Sequence, residues 1–449
     1  MMTLAQAQAM LPGAQLVGDA RLRFARVHTD TRSLRTGDLF VALKGERFDA
    51  HDFLRQAGAQ GAVAALAEQG LAEAGLPGLQ VANSKAALGQ LAAGWRAQFK
   101  LPLVAVTGSN GKTTVTQMIA AILRVWKPEA YLATQGNLNN DIGVPLTLFR
   151  LAASDRYAVI EMGANGPDDI TTLVAIAEPT VALVTLCGPA HLAGFGSLDG
   201  VARAKGQIYS QLQAPHTALL NVDDPHHARW QTTAGAAHIL RFGLGAGANV
   251  TATDIQPGGL GAGSEFKLQV DNEAVTVALP LDGLHNVRNA LAAAAVGVAL
   301  ELPLAAIKAG LEAVPPVKGR LNVRRLPAGA TLIDDTYNAN PASLAAALDL
   351  LATQPGSRWL VLADMGELGP SAVELHREAG RAARAAGVSR LFAIGPLAGA
   401  AADAFGAEAL RFATREDALL ALREQLTEDV TLLCKGSRSM ALDLLVKAL

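Results

Sequence analysis

Apolar runs alternate with helical patterns along most of the chain, and residues 101–222 show this most clearly. An apolar run at 101–106 leads into a Gly-rich turn, and residues 115–123 then repeat Val, Met and Ile at helical spacing. This succession predicts a strand, a loop and a helix that packs on one side. Later apolar runs, at 157–160, 181–186 and 217–222, each end in polar residues. Alternating strands and helices predict a parallel sheet with helices on both faces, and ligands lie beyond the carboxyl ends of its strands.

Two further α/β regions flank this segment. Before it, short apolar runs surround a helical segment at 51–59, and after Pro315-Pro316 buried-type strands recur at 331–334, 359–363, 391–394 and 431–434. Between them, residues 250–279 alternate apolar and polar positions, which predicts antiparallel hairpins added to the central region. The predicted fold class is therefore α/β with three domains, namely a small N-terminal α/β domain (1–82), a central parallel-sheet domain (83–314) and a C-terminal Rossmann-like domain (315–449).

The turn after the first of these strands has the chemistry of a phosphate-binding loop. Its glycines allow backbone N–H groups to surround phosphate oxygens, the helix N-terminus adds partial positive charge, Lys112 adds a full charge, and Thr113 offers a hydroxyl to Mg²⁺. The general pattern has glycine where this chain has Val106, so the loop is a shortened variant. ATP is the ligand that it predicts first. The loop residues are Gly108, Ser109, Asn110, Gly111, Lys112, Thr113 and Thr114.

Charge and cysteine content exclude several other classes. Lys plus Arg (38) nearly balances Asp plus Glu (40), so no positive field indicates nucleic acid or an anionic membrane surface. Cys187 and Cys434 lie far apart, which favours a reducing compartment, two packed thiols and no Cys-based zinc site. Residues 1–14 lack a signal-like pattern, and residues 179–198 read as strand plus loop rather than a membrane span. We therefore expect a cytoplasmic protein.

Several polar residues have two interpretations when they are considered alone. Glu161 is either a metal ligand beside the phosphate loop or an N-cap carboxylate for the next segment, and His191 is either part of the same site or an ordinary loop histidine. Lys205 lies on a predicted helix, where spacing alone indicates a surface lysine. The loops at 29–32 and 44–51 are either solvated turns or ligand contacts.

The order of these polar clusters is more informative than any one of them. They are Thr107–Thr114, Glu161, His191, Lys205, Asn221–Asp224, His285–Asn289, Gly319-Arg320 and Asp335. This order resembles the Mur ligase family, the ATP-dependent amide ligases of peptidoglycan precursor synthesis, over essentially the whole chain. A nucleotide-dependent switch would need the phosphate loop and little else, so the additional residues favour a two-substrate enzyme.

Four segments resemble the family member that acts last, namely Thr134–Asn140, Tyr337–Pro341, Asp364–Gly369 and Lys435–Arg438. That resemblance implies that D-alanyl-D-alanine is joined to a UDP-N-acetylmuramoyl-tripeptide through an acyl phosphate. The alternative is the sibling that adds the third amino acid. It has a similar N-terminus, but its Asp-Asn-Pro-Arg motif is absent here.

The resemblance also implies roles for individual residues and a monomer that binds ATP and Mg²⁺. The implied catalytic residues are Lys112, Glu161, His191, Lys205, Arg320 and Asp335. The implied metal ligands are Thr113, Glu161, His191 and Lys205, the lysine as a carbamate. The nucleotide contacts are the phosphate loop, Asn286, Asn289, Arg320 and Asp335. The implied substrate contacts are Thr31, Arg32, Lys44, Arg47, Asn137, Asn139, Asn140, Asn338 and Asn340.

Overall fold

The computed structural model describes residues 1–45 and 48–449. It divides into two compact units, one made of residues 1–105, 129–163 and 169–181 and the other of residues 106–128, 164–168 and 182–449. In the described part of the chain, no helix is both long enough and apolar enough to cross a membrane.

The N-terminal region is a small α/β fold. Its strands are β1 (Met2–Thr3), β2 (Gln15–Val17), β3 (Arg23–Phe24), β4 (Arg26–His28), β5 (Asp38–Val41), β6 (Ala62–Ala67) and β7 (Gly78–Gln80). Its helices are α1 (Leu4–Ala9), α2 (Leu54–Ala59), α3 (Leu71–Ala74) and α4 (Ser84–Arg96). Strands β2-β7-β6-β5-β4 form one sheet, in which only β2 is antiparallel to its neighbour. Phe40, Leu54 and Leu71 belong to the core on one face of that sheet.

The central region contains the sheet with the most strands, which number nine in the described part of the chain. Its strands are β8 (Leu103–Thr107), β9 (Tyr131–Ala133), β10 (Tyr157–Glu161), β11 (Val181–Val184), β12 (Thr217–Asn221), β13 (His238–Phe242), β14 (Val250–Pro257), β15 (Ser264–Val270) and β16 (Glu273–Leu279). Strand order is β16-β15-β14-β13-β12-β11-β8-β10-β9. The predicted hairpins are confirmed, because β14, β15 and β16 pair antiparallel. They extend the sheet through β13, which pairs with β14 at Phe242 and Val250.

The helices of this region are α5 (Lys112–Trp126), α6 (Gly143–Leu148), α7 (Asp169–Ala177), α8 (Leu192–Phe195), α9 (Leu198–Gly206), α10 (His227–Ala234), α11 (Leu284–Ala299) and α12 (Leu304–Glu312). Helix α5 buries Val115, Met118 and Ile119, as the helical spacing predicts. It packs closely against α12, where a side chain at Gly310 would meet the Ile122 backbone at 2.3 Å. This packing fixes the helix whose first residue is Lys112.

The C-terminal region is a doubly wound α/β fold. Its strands are β17 (Asn322–Arg325), β18 (Thr331–Asp335), β19 (Ser357–Ala363), β20 (Arg390–Ile394), β21 (Ala409–Phe412) and β22 (Val430–Lys435). Its helices are α13 (Pro341–Ala352), α14 (Ala372–Ala385), α15 (Pro396–Phe405), α16 (Arg415–Gln425) and α17 (Leu442–Ala448). The order is β17-β18-β22-β19-β20-β21, and only β17 runs antiparallel.

Both faces of this sheet are covered, which is the Rossmann-like arrangement that the sequence predicts. Along β19, Leu360 and Leu362 enter a core with α13, α14 and α15, whereas Val361 enters a core with α16 and α17. Because strand side chains alternate between faces, a continuous apolar strand needs helices on both sides. Pro341 begins α13, a position that its fixed φ suits, and Asn340 caps the helix.

Candidate active site

The phosphate loop depends on glycine at two positions. Gly108 has φ +149°, and a side chain there would meet the Thr185 hydroxyl at 1.8 Å. Gly111 has φ +81° and precedes the first residue of α5, and a side chain there would lie 2.4 Å from Oδ1 of Asn289. Positive φ together with close neighbours leaves room only for glycine.

The end of β11 holds this loop. Thr185 N–H donates to Thr107 O at 2.8 Å, and its hydroxyl donates to Asn110 O at 2.5 Å. Ser109 Oγ donates to Gly188 O and accepts from Gly188 N–H, each at 2.9 Å. The sequence does not predict Thr185 as a site residue. It does predict that the apolar run at 181–186, which contains Thr185, ends at the ligand-binding edge of the sheet.

Two cations lie at the loop. Lys112 Nζ donates to Gly108 O at 2.8 Å, so its charge stays beside the backbone that would surround a phosphate. Arg320 Nη2 donates to Thr113 Oγ1 at 3.2 Å, and its guanidinium carbon lies 4.4 Å from the ring centroid of Tyr337. The structure thus brings together Lys112, Thr113 and Arg320, which the sequence predicts as one site.

Asp335 lies at the carboxyl end of β18 and forms a buried ion pair with Lys435, at the end of β22. Burial raises the pKa of Asp335, and the neighbouring Lys435 ammonium opposes that shift. Lys435 Nζ also donates to Asn338 O at 3.1 Å. The sequence places Lys435 in a motif but predicts no role for it. It lies beside Asp335 because β18 and β22 pair in parallel, with Asp335 and Lys435 in register.

Two of the predicted nucleotide-contact residues, Asn286 and Asn289, border the loop. Asn289 Nδ2 donates to Asn286 Oδ1 at 3.1 Å, and Asn286 Nδ2 donates to Asp282 O at 2.8 Å. Because Asn289 is also the side chain closest to Gly111, helix α11 presents an ordered amide at the start of α5.

His191 has an unusual backbone. It adopts φ +53° immediately before α8, and its Nδ1 contacts the Glu367 carboxylate. Burial lowers the pKa of His191, which keeps the imidazole neutral, and Glu367 opposes that shift. A neutral imidazole is the form that binds metals. Glu367 was missed because its partner lies far away in the sequence.

Lys205 is not a surface lysine, so the interpretation from spacing alone is wrong. Its side chain is 0% exposed on α9, and Nζ lies 5.7 Å from the ring centroid of Phe195. Lysine is almost never fully buried unless it is paired. The burial therefore fits the role that the family resemblance implies.

Glu161 is buried at the end of β10, where Asn139 Nδ2 donates to its Oε1 at 2.8 Å. Its backbone N–H donates to the Thr134 hydroxyl at 2.9 Å. The N-cap interpretation is wrong, because the next helix begins only at Asp169. The Thr134–Asn140 segment thus orients the carboxylate.

The remaining predicted substrate residues lie mostly on exposed loops. Asn137 and Asn338 are exposed, and Asn140 accepts a hydrogen bond from Gly143 N–H at 2.8 Å at the start of α6. Arg32 is paired with Asp30, which lowers the pKa of that carboxyl group to about 2. Thr31 lies in the same short 3₁₀ turn, and Lys44 is exposed and forms an isolated antiparallel β-bridge with Asp49. Arg47 lies outside the described residues.

The donor set suits a hard cation that keeps other oxygen ligands. Within residues 1–45 and 48–449, no three His, Cys, Asp or Glu side chains converge as a metal cage. Mg²⁺ usually takes one or two protein ligands and completes its shell with phosphates and water. Cys187 does not contribute a thiolate, since burial raises its pKa to about 12, and Cys434 is fully buried.

Comparison with known proteins covers nearly the whole chain. Three family models match, described as the Mur ligase family catalytic domain (residues 23–96), the Mur ligase middle domain (106–297) and the Mur ligase glutamate ligase domain (319–438). A relative from Escherichia coli K12 named UDP-N-acetylmuramoyl-tripeptide–D-alanyl-D-alanine ligase is 46% identical, over 98% of this chain and 95% of its own length.

Solved structures show the same architecture. The crystal structure of MurF from Acinetobacter baumannii superposes with a TM-score of 0.91 at 37% identity, covering 99% of this chain and 98% of that one. The MurF ligase from Thermotoga maritima, solved in complex with ADP, matches with a TM-score of 0.83 at 27% identity, covering 96% and 98%. Together with the family models and the near full-length identity, these matches establish that the chain belongs to the Mur ligase family.

Proposed function

We propose that this chain uses ATP to join D-alanyl-D-alanine to UDP-N-acetylmuramoyl-tripeptide, giving the UDP-linked pentapeptide, ADP and phosphate. The observation that carries the proposal is the near full-length identity of 46% to a ligase named for this reaction. It is supported by a phosphate loop that carries Lys112 and is contacted by Arg320 of the C-terminal region. The sibling that adds the third amino acid is not favoured by these relatives.

The first step activates a carboxylate. The terminal carboxylate of the tripeptide attacks the γ-phosphoryl group of ATP, a carbon-bound oxygen forms a bond to phosphorus, and ADP leaves. Lys112 lies beside the loop backbone, and Arg320 reaches the loop from the C-terminal region. Both cations suit the negative charge on the transferring group, whose neutralisation is the main protein contribution to phosphoryl transfer.

The second step forms the amide. The amino group of D-alanyl-D-alanine attacks the acyl phosphate, its proton is lost, and inorganic phosphate leaves. An acyl phosphate in open water would hydrolyse, so the groups around it must exclude solvent. Residues of the C-terminal region that already contact the loop, such as Arg320 and Asn340, are suited to close over it.

We assign one Mg²⁺ to Thr113 and Glu161 and a second to His191 and Lys205. Bound Mg²⁺ would neutralise phosphate charge and polarise the transferring group. The protein residues fit this role: Glu161 is oriented by Asn139, His191 is neutral, and buried Lys205 would offer oxygen ligands as a carbamate. Asn289 would contact adenine, Asn286 would contribute to nucleotide binding, and Asp335 would act through its pair with Lys435.

The N-terminal loops that carry Thr31, Arg32, Lys44 and Arg47 are assigned to the UDP group. The remaining substrate assignments are polar residues in the β9–α6 and β18–α13 loops, namely Asn137, Asn139, Asn140, Asn338 and Asn340. A monomer in the cytoplasm remains our expectation.

One coupled assay tests this function. ADP release is measured with UDP-muramoyl tripeptides and dipeptides, each with and without D-alanyl-D-alanine or single amino acids. We expect release only with a tripeptide together with D-alanyl-D-alanine. Release with a dipeptide and a diamino acid would favour the sibling, and ATP hydrolysis that ignores both peptide and amine would favour a nucleotide switch.

A further inference from the structure

The loop from Asp364 to Gly369 is held at its base by hydrogen bonds. Met365 N–H donates to His376 Nε2 at 2.9 Å, and His376 Nδ1 lies 2.6 Å from Ala372 O. That geometry requires the proton on Nδ1, so fully buried His376 is a neutral acceptor with one tautomer. Gly366 N–H donates to Ser437 Oγ at 2.6 Å. These contacts hold the next residue of the loop, Glu367, in a defined position.

The Glu367 carboxylate contacts His191. Glu367 has φ +61° and His191 has φ +53°, so both partners adopt the left-handed conformation that non-glycine residues rarely use. Such conformations persist only where the surroundings hold them, and they cluster at functional sites. The backbones also approach each other, because a side chain built on Gly369 would lie 3.4 Å from Ala193 N.

Stability does not explain this contact. The Glu367 side chain is 60% exposed, whereas that of His191 is 23% exposed. Even for a charged imidazole, an exposed ion pair stabilises a protein by at most about 1 kcal/mol, which is no more than the strain of one left-handed residue. Another effect must therefore explain why Glu367 contacts His191, and the chemistry of the imidazole ring offers one. A carboxylate at Nδ1 fixes the proton there and leaves the Nε2 lone pair available, which is the usual outer arrangement around a metal-binding histidine.

We propose that Glu367 is a positioning residue that fixes the tautomer and ring orientation of His191, so that metal binding by the ATP site depends on a loop of the C-terminal region. This inference rests on the proposed function for the assignment of His191 as a metal ligand. It explains why the Asp364–Gly369 loop has buried His376 at its base and a strained glutamate at its tip.

The test measures metal affinity rather than turnover alone. Mn²⁺ binding to the full chain with ADP is followed by electron paramagnetic resonance for the wild type, Glu367→Gln and a matched control. The control is Glu374→Gln, which removes an exposed carboxylate that pairs with Arg377 and Arg381 on α14. We expect Glu367→Gln to weaken Mn²⁺ binding about 10- to 100-fold with no loss of thermal stability, and Glu374→Gln to leave binding unchanged. Affinity within twofold of wild type in Glu367→Gln would overturn the proposal.

A double-mutant cycle identifies the partner. If Glu367 acts through His191, then Glu367→Gln has no further effect on Mn²⁺ affinity in a His191→Ala background. An undiminished effect in that background would show that Glu367 acts elsewhere and would also overturn the proposal. Failure of the ligase assay with wild-type protein would reject the proposed function instead, since the Mn²⁺ measurement does not require the peptide substrates.

Discussion

The side-chain amides of Asn110 and Asn340 bind each other reciprocally. Asn340 Nδ2 donates to Asn110 Oδ1 at 2.8 Å, and Asn110 Nδ2 donates to Asn340 Oδ1 at 3.3 Å. Asn110 belongs to the phosphate loop, whereas Asn340 caps α13, where its Oδ1 also accepts from Ser343 N–H at 2.9 Å. Asn340 therefore both caps a helix of the C-terminal region and binds the phosphate loop.

Two substitutions separate these roles of Asn340. Asn340→Ala removes the cap and the amide pair, so we expect about 1 kcal/mol lower unfolding free energy and a raised KM for ATP. Asn340→Ser keeps a capping oxygen but is too short to reach Asn110, so stability should be retained while the KM for ATP still rises. Urea denaturation and steady-state kinetics measure both. A wild-type KM in Asn340→Ser would show that the amide pair plays no part in nucleotide binding.

Lys112→Ala should abolish ligation and leave the fold intact. The loop geometry is set by glycines and by contacts from Thr185 and Gly188, none of which needs the lysine side chain. The measurement is ADP release, with circular dichroism and binding of the UDP substrate as controls for folding. Near-normal turnover with an unchanged ATP requirement would contradict the assignment of the phosphate loop.

Lys205 is predicted to supply oxygen ligands as a carbamate. Lys205→Ala should lose most activity and leave a space beside Phe195, so acetate or formate should restore part of the activity. Lys205→Met is the matched variant, because methionine fills most of that space and should prevent restoration. Chloride at equal ionic strength controls for salt. Full activity in Lys205→Ala would contradict the metal-ligand role and leave this buried lysine with a structural role only.

Replacing only one partner of the Asp335–Lys435 ion pair should strongly lower the free energy of unfolding. Asp335→Asn leaves a buried ammonium without its counter-charge, so we expect a loss of roughly 3–5 kcal/mol in unfolding free energy. Replacing both residues together, as Asp335→Leu with Lys435→Met, should cost less than Asp335→Asn alone. Chemical denaturation of the variants checks this order, and equal stability of Asp335→Asn and wild type would refute it.

His285 should make stability depend on pH. Burial lowers its pKa in the folded protein to about 4, with Lys435 and Arg288 adding to the shift, whereas an unfolded histidine titrates near about 6.5. Between these values the unfolded chain binds more protons, so the stabilisation is complete above about pH 6.5 and is lost as pH falls toward 4. The difference between the two pKa values corresponds to roughly 3 kcal/mol.

Urea denaturation at pH 4.5 and 7.5 compares wild type with His285→Gln, which cannot titrate. The variant should lose less stability on acidification than the wild type. Equal losses in the two proteins would assign the acid sensitivity to other groups.

Sequence alone determined the parts of this protein that depend on local chemistry. The Gly-rich loop, its lysine and the helix after it can be read from adjacent residues, because backbone freedom, charge and helical spacing are local properties. The same holds for the antiparallel strands β14, β15 and β16, whose alternation predicts hairpins, and for Pro341 at the start of α13. Ordered motifs also identified the family, which the comparisons confirm.

Only the tertiary structure decided which distant residues act together. Periodicity shows that one face of an element is buried, but it does not show what covers that face. Spacing therefore placed Lys205 on the surface, whereas packing buries it completely beside Phe195. In the same way, Thr185 supports the phosphate loop and Glu367 contacts His191, because strand ends and loops distant in sequence converge. Such contacts depend on which strands pair and where loops meet, and no local pattern encodes them.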